Sequence, residues 1–238
     1  MIFAVILAGG TGSRMGSTDM PKQFLEIKGK PILNHTVEKF LPNPAFEKII
    51  ILSPRAWIGH TKEIIRKYTG VNDRIVVIEG GKTRNETIMN AVDYIDRNHT
   101  LDEDTIIVTH DSVRPFVTHR IIEDNIRAAQ QYGACDTVIP ATDTIVEGED
   151  NKITDIPDRR RMYQGQTPQA FKAKLLKELY ESLTAEEKDI LTDACKIFTM
   201  KGHPVHLIQG EVHNIKITYP YDLRVAKVLL DEEAGGKD

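Results

Sequence analysis

Residues Ile2–Leu7 read Ile-Phe-Ala-Val-Ile-Leu, an apolar run with no polar interruption, and the run stops at Gly9-Gly10. A strand with one wet face alternates, whereas an unbroken run asks for cover on both faces. Few architectures satisfy that demand, chiefly a parallel sheet held between two layers of helices. The rest of the chain keeps the same rhythm. Apolar runs at Lys48-Ile49-Ile50-Ile51-Leu52, Arg74-Ile75-Val76-Val77-Ile78 and Thr105-Ile106-Ile107-Val108-Thr109 read as further strands, and 134–141 as a fifth. Between them lie helical patterns: Leu33, Val37, Phe40 and Leu41; residues 56–68; Ile88, Val92 and Ile95; Ile122, Ile126 and Ala129. Strands alternating with helices imply right-handed β-α-β crossovers. The expected fold is α/β, a Rossmann-like and mostly parallel sheet with helices on both faces.

The rhythm breaks after Ala141. Thr144-Ile145-Val146 and 152–156 read as two short strands around Gly148-Glu149-Asp150-Asn151. This predicts a β-arm, about 142–163, inserted into one domain spanning 1–238. Helical patterns return at 172–181 and behind Thr184-Ala185-Glu186-Glu187, a capping box like Thr83-Arg84-Asn85-Glu86. A late strand is expected at 205–208, and Pro220 opens a last helix.

With 40% apolar residues the 238-residue chain carries enough core to offset chain entropy, so dominant disorder is excluded. The 31 Lys+Arg against 35 Asp+Glu give a net charge of −4, unlike the basic footprint of a nucleic-acid binder. Two distant cysteines, Cys135 and Cys195, make neither a disulfide framework nor a zinc site and suit a reducing compartment. No run approaches the roughly 18 apolar residues of a membrane span, and the apolar start lacks a basic leader. A cytoplasmic protein without membrane or nucleic-acid partners is expected.

Ligands of such sheets bind at the carboxyl ends of the strands. The first such loop is Leu7-Ala8-Gly9-Gly10-Thr11-Gly12-Ser13-Arg14-Met15-Gly16. Its glycines let backbone N–H groups approach an anion closely. A Walker A reading fails, because Gly81-Lys82-Thr83 has Val76 where the first glycine belongs. A dinucleotide reading wants an acid after the second strand, and Leu52-Ser53-Pro54-Arg55 offers none. Read alone, the turn is also compatible with a loop that binds nothing. However, Arg14 sits inside it and Lys22 follows in Pro21-Lys22-Gln23. Arginine is a planar bidentate phosphate ligand and lysine a compact point charge. Two cations at an amide cradle suit phosphoryl-type transfer, which depends on positioning and electrostatics.

Leu-Ala-Gly-Gly-x-Gly-Ser-Arg-Met-Gly followed by Pro-Lys-Gln-Phe resembles the sugar- and polyol-phosphate nucleotidyltransferases, specifically the cytidylyltransferase branch. Further matches run in order through Gly80-Gly81-x2-Arg84, His110-Asp111-Ser112-Val113-Arg114-Pro115, Asp143-Thr144, Thr167-Pro168-Gln169 and Asn214-Ile215-Lys216. The resemblance implies that CTP and a polyol phosphate give a CDP-polyol and pyrophosphate. It assigns Leu7, Ala8, Gly9 and Gly10 to the CTP phosphates and makes Arg14 and Lys22 the transition-state cations. It gives cytosine and ribose to Gly81, Lys82, Thr83, Arg84, Asn85, Glu86 and Thr87, with Ser112 beside them. Asp111 would hold Mg²⁺ against the triphosphate, since that ion takes one or two carboxylates plus phosphate oxygens. Arg159 and Lys216 would grip the acceptor phosphate, with Thr144 as a hydroxyl contact. The arm would exchange across a homodimer, so Arg159 would serve the neighbouring subunit.

His110 is expected to be structural, because an attacking phosphate is already an anion and needs no base. Arg114 is expected to fix its loop through an ion pair. Residues 162–169 and 191–196 resemble the ribitol-5-phosphate branch, which makes CDP-ribitol for wall teichoic acid. The alternative is the methylerythritol-phosphate branch of isoprenoid synthesis. A reading from another class is a CTP-binding regulator without turnover. The coexistence of Arg14, Lys22, Asp111, Arg159 and Lys216 argues against it, since a binder has no use for a second phosphate grip.

Overall fold

The computed structural model describes residues 1–10 and 20–235. Arg14 and the rest of the glycine loop from Thr11 onward therefore lie outside the described residues.

The strand Ile2–Leu7 (β1) is followed by the small ribbon Glu26–Ile27 (β2) and Lys30–Pro31 (β3), then the helix Ile32–Phe40 (α1). Phe46–Ser53 (β4), Ile58–Thr69 (α2), Ile75–Glu79 (β5), Arg84–Asn98 (α3), Ile106–Asp111 (β6), His119–Tyr132 (α4) and Ala134–Pro140 (β7) continue the alternation. The arm is Glu147–Glu149 (β8) and Lys152–Asp155 (β9), and Tyr163–Lys172 (β10) follows it. The chain closes with Ala173–Glu181 (α5), Ala185–Asp189 (α6), Ala194–Met200 (α7), His206–Gln209 (β11) and Pro220–Gly235 (α8).

Seven strands form one sheet in the order β11-β7-β10-β6-β1-β4-β5. β1 is parallel to both β4 and β6 and lies next to the sheet's centre, which explains its unbroken apolar run. Ala4 and Ile6 face a cluster with Leu33, Val37 and Phe40 of α1 and Ile122 of α4. Phe3 and Val5 face the opposite cluster, with Ile88, Val92 and Ile95 of α3 and Leu176 of α5. Burying one such side chain contributes about 1.5–3 kcal/mol.

Three expectations change. The strand β10 was not anticipated; it runs antiparallel between β6 and β7 and makes the sheet mixed. Its Gly165, Pro168 and three glutamines mask any strand pattern, and its register shifts between Gly165 and Gln169. The arm's first strand is 147–149, not 144–146, so Thr144 precedes it. The Thr83 box is half-formed: Thr83 Oγ1 accepts from Glu86 N, but the Glu86 carboxylate accepts from Lys82 N. The Thr184 box is complete. No helix among the described residues is long and apolar enough to cross a membrane.

Candidate active site

The carboxyl ends of β1 and β6 open into a cleft of about 370 Å³. Leu7, Gly9, Gly10, Lys22, Gly81, Lys82, Thr83, Arg84, Thr87, Asp111, Ser112 and Lys216 all line it. Residues separated by up to 209 positions thus meet at the ends of parallel strands, where helix N-termini also point. Ala8 and Asn85 are buried beneath the surface, and Glu86 lines an adjoining hollow with Arg55 and Tyr180.

Lys22 is delivered by a short turn, Lys22–Phe24. The neighbouring Gln23, buried, donates from Nε2 to the Ala8 carbonyl at 2.6 Å. Phe24 stacks on Trp57 with ring centroids 5.1 Å apart. These two anchors hold the turn against the end of β1.

The second loop is pinned from below. Thr87 Oγ1 accepts from Gly81 N at 3.0 Å and donates to the Thr83 carbonyl at 2.7 Å. Gly81 presses on the first turn of α3, leaving no room for a side chain: a Cβ there would stand 2.8 Å from Thr87 N and overlap Glu86. Gly81→Ala is expected to displace this loop at a strain of about 1–3 kcal/mol. The expected readout is a raised KM for CTP with little change in kcat; an unaltered KM would show that the loop does not hold the nucleotide.

Asp111, at the end of β6, is the electrostatic hub. Its side chain is 8% exposed and meets three cations: Arg84 Nη1 at 2.5 Å, Lys216 Nζ at 2.9 Å and Arg114 Nε at 3.5 Å. Burial pushes its carboxyl up, but the charges of Arg84, Lys216 and Arg114 outweigh that and hold it well below the usual carboxylate range. Lys216 is positioned by the fully buried Asn214, whose Nδ2 donates to Gln166 Oε1 and the Thr167 carbonyl. Arg114 Nη1 donates to the Asn214 carbonyl at 2.7 Å, so it fixes the loop as well as pairing with Asp111.

Asp111 is the one carboxylate among the described lining residues, against four cations, Lys22, Lys82, Arg84 and Lys216. Such a lining suits a polyanion. A divalent cation that takes most of its oxygens from phosphates needs only one or two carboxylates. A single buried carboxylate among cations fits an ion of this kind, and Asp111 would be the residue to hold Mg²⁺.

His110 is fully buried between Thr167 Oγ1, 3.0 Å from Nδ1, and the Arg114 carbonyl, 2.9 Å from Nε2. Burial pushes its pKa down to about 4, against the Arg114 carbonyl contact, and leaves it neutral. It braces the strand and does not face the cleft.

Within one chain Arg159 and Thr144 do not reach the cleft. The arm carries both out into solvent, and Arg159 Nη1 donates to the Thr142 carbonyl at 2.9 Å. Gln169 and Asp193 lie in segments the sequence singles out, but their meeting with Asp136 escaped sequence reasoning. They lie 24 or more residues apart in sequence, and only the antiparallel β10 brings them together.

The family model described as IspD, 2-C-methyl-D-erythritol 4-phosphate cytidylyltransferase, matches residues 2–232. Among solved structures, 4-diphosphocytidyl-2C-methyl-D-erythritol synthase from Anaerococcus prevotii is 27% identical, with a TM-score of 0.79 over 97% of this chain and 96% of that one. The Francisella tularensis 2-C-methyl-D-erythritol 4-phosphate cytidylyltransferase is 28% identical, with a TM-score of 0.79 over 95% and 98%. The Thermus thermophilus enzyme of the same name is 26% identical, with a TM-score of 0.71 over 97% and 100%. A nucleotide-sized cationic cleft at the strand ends and a match over nearly the whole length agree: the chain belongs to the 2-C-methyl-D-erythritol 4-phosphate cytidylyltransferase family of nucleotidyltransferases.

Proposed function

We propose that this protein transfers the cytidylyl group of CTP to ribitol 5-phosphate, giving CDP-ribitol and pyrophosphate. An oxygen of the acceptor phosphate attacks the α-phosphorus in line. The α–β bridging bond breaks, and pyrophosphate carries its electron pair away. No proton has to be moved, which accords with a buried, neutral His110. The amides of Gly9 and Gly10 cradle the triphosphate, and Lys22 with Arg14 meets the charge that builds on the α-phosphoryl oxygens. The loop from Gly81 to Thr87 and Ser112 hold cytosine and ribose. Asp111 would hold Mg²⁺, which would supply neutralisation of the triphosphate charge.

The observation that carries the reading is the meeting of Lys22, Arg84, Asp111 and Lys216 in one cleft. Lys216, parked on Asp111 at 2.9 Å, is the acceptor-phosphate grip. Arg159 and Thr144 join it from a second copy of the chain through arm exchange in a homodimer. The exposed Val146, Ile153 and Ile156 of the arm supply an apolar face for that contact.

A second reading has methylerythritol 4-phosphate as acceptor, and the names of the solved relatives favour it. Those relatives share only 26–28% of residues with this chain. Segments 162–169 and 191–196, which resemble the ribitol-5-phosphate branch, support ribitol 5-phosphate. Phosphorus NMR of CTP with Mg²⁺ and each acceptor tests the reaction: pyrophosphate and a new phosphodiester should grow together. CTP resonances unchanged with both acceptors would refute it. Lys216→Ala is expected to raise the acceptor KM by about 10–100-fold, the worth of one charged hydrogen bond, with the CTP KM nearly constant. An equal rise in both constants would remove Lys216 from the acceptor grip.

A further inference from the structure

The strand β10 does not pair along its whole length. Gly165 pairs with Val138 of β7 and Gln169 with Asp136, so three residues, Gln166, Thr167 and Pro168, oppose the single residue Thr137. On its other side β10 pairs with β6 only from Gln169 onward. Such a bulge gives up ladder bonds and re-aims side chains, and bulges are frequent beside active sites. Here a side chain supplies a missing bond. Thr137, fully buried, donates from Oγ1 to the Pro168 carbonyl at 2.6 Å and accepts from Asn125 Nδ2 at 2.8 Å. Asn125 Nδ2 also donates to the Ile121 carbonyl, so α4 fixes the direction of the Thr137 hydroxyl.

The loop that carries Lys216 rests on this bulge. Gln166 Nε2 donates to the Glu211 carbonyl at 2.9 Å, and its Oε1 accepts from Asn214 Nδ2 at 3.1 Å. Asn214 Nδ2, two residues before Lys216, donates as well to the Thr167 carbonyl at 2.9 Å. Gly210 closes against the same surface, since a Cβ there would stand 2.5 Å from Gln166 Oε1 and 3.0 Å from Thr137 Cγ2. Thr167 Oγ1 in turn accepts from Asp111 N at 3.1 Å. One bulge thus holds both partners of the Lys216–Asp111 pair. Thr137, Gln166 and Thr167 are buried and are not among the described residues that line the cleft, so they act through that pair. The nucleotide loops are fastened elsewhere, Ala8 on Leu52 and Gln23, Gly81 on Thr87.

We propose that the bulge at 166–168, pinned by Thr137, sets the place of Lys216 against Asp111, which makes Thr137 and Gln166 positioning residues for the acceptor phosphate. The inference rests on the reading of Lys216 as the acceptor grip and deepens it. Without the Thr137 hydroxyl the buried Pro168 carbonyl loses its partner, and an unpaired buried acceptor favours a shifted bulge. A misplacement of about 1 Å, even one caused far from the reacting atoms, weakens a positioned charge severely.

Thr137→Val keeps the shape of the side chain without its hydroxyl, whereas Thr137→Ser keeps the hydroxyl. The acceptor is ribitol 5-phosphate, or methylerythritol 4-phosphate should only that turn over. Thr137→Val is expected to raise the acceptor KM about 5–30-fold and to leave the KM for CTP within about twofold. Thr137→Ser should stay within about threefold of wild type in both. Added to Lys216→Ala, Thr137→Val should raise the acceptor KM by less than about twofold more, because both changes act through one group. An unchanged acceptor KM in Thr137→Val, equal rises in both constants, a Thr137→Ser variant as impaired as Thr137→Val, or a fully additive rise over Lys216→Ala would each overturn the proposal and leave the cytidylyl-transfer reading standing. Should Thr137→Val not fold, Gln166→Met, at a residue 6% exposed, carries the same prediction, and an unchanged acceptor KM there overturns the proposal equally. A wild-type protein inactive with both polyol phosphates would instead refute that reading, and this inference with it.

Discussion

Replacing Lys22 with alanine is expected to lower kcat by about 10²–10³ while leaving the fold intact. The reaction builds negative charge on phosphoryl oxygens, and a fixed cation placed where that charge develops stabilises the transition state more than the ground state. Lys22 meets the geometric requirement because the two residues that follow it fasten its turn. Gln23 bonds the Ala8 carbonyl and Phe24 stacks on Trp57. Truncation at 22 touches neither anchor, so the variant should still fold. Lys22→Arg should recover part of the loss, since arginine keeps the charge but not its compact placement. Steady-state kinetics with saturating CTP and acceptor checks this. A kcat within about threefold of wild type, well short of that loss, would take Lys22 out of the transition state.

Asp111→Ala should destabilise the fold by roughly 3–5 kcal/mol, because removing one partner leaves buried charge uncompensated. The lower end is expected. Arg84 and Lys216, with side chains 25% and 39% exposed, can turn to solvent, whereas Arg114 at 10% cannot. For a chain of this length the loss corresponds to a Tm lower by roughly 6–20 °C. The pH dependence has a definite sign. The folded carboxyl titrates below its unfolded value, so its contribution is complete above the unfolded pKa of about 3.9 and fades as pH falls through the folded one. Wild type and variant should differ most near neutrality and converge in strong acid. Urea unfolding at neutral and acid pH measures both limbs. Equal stability at neutral pH would mean that the three cations do not depend on Asp111.

The same hub marks where sequence reasoning reaches its limit. Periodicity alone located β1, β4, β5, β6 and β7, because their apolar runs leave a clear trace both in the central β1, β4 and β6 and in the edge strand β5. It passed over β10, whose glutamines and Pro168 serve hydrogen bonds and a register shift, not an apolar face. Leu7, Gly9, Lys22, Gly81 and Asp111 are legible as strand-end and loop residues. That Arg84, Arg114 and Lys216 all converge on Asp111 is not, since up to 105 residues separate the partners and nothing local encodes their meeting. Gln169 shows the same limit from the other side. It lies in a recognisable Thr-Pro-Gln motif, but its bridge between Asp136 and Asp193 exists only because the antiparallel strand lies beside β7. Arg159 and Thr144 were read into a site that, within one chain, the arm carries them away from.

Pyrophosphate release by the purified protein with CTP and Mg²⁺, compared between ribitol 5-phosphate and methylerythritol 4-phosphate, tests the central claim most directly. Acceptor-dependent release, stoichiometric with a CDP-polyol and faster with ribitol 5-phosphate, is the predicted result. Tight CTP binding without release for either acceptor would contradict it and leave a nucleotide-binding protein without turnover.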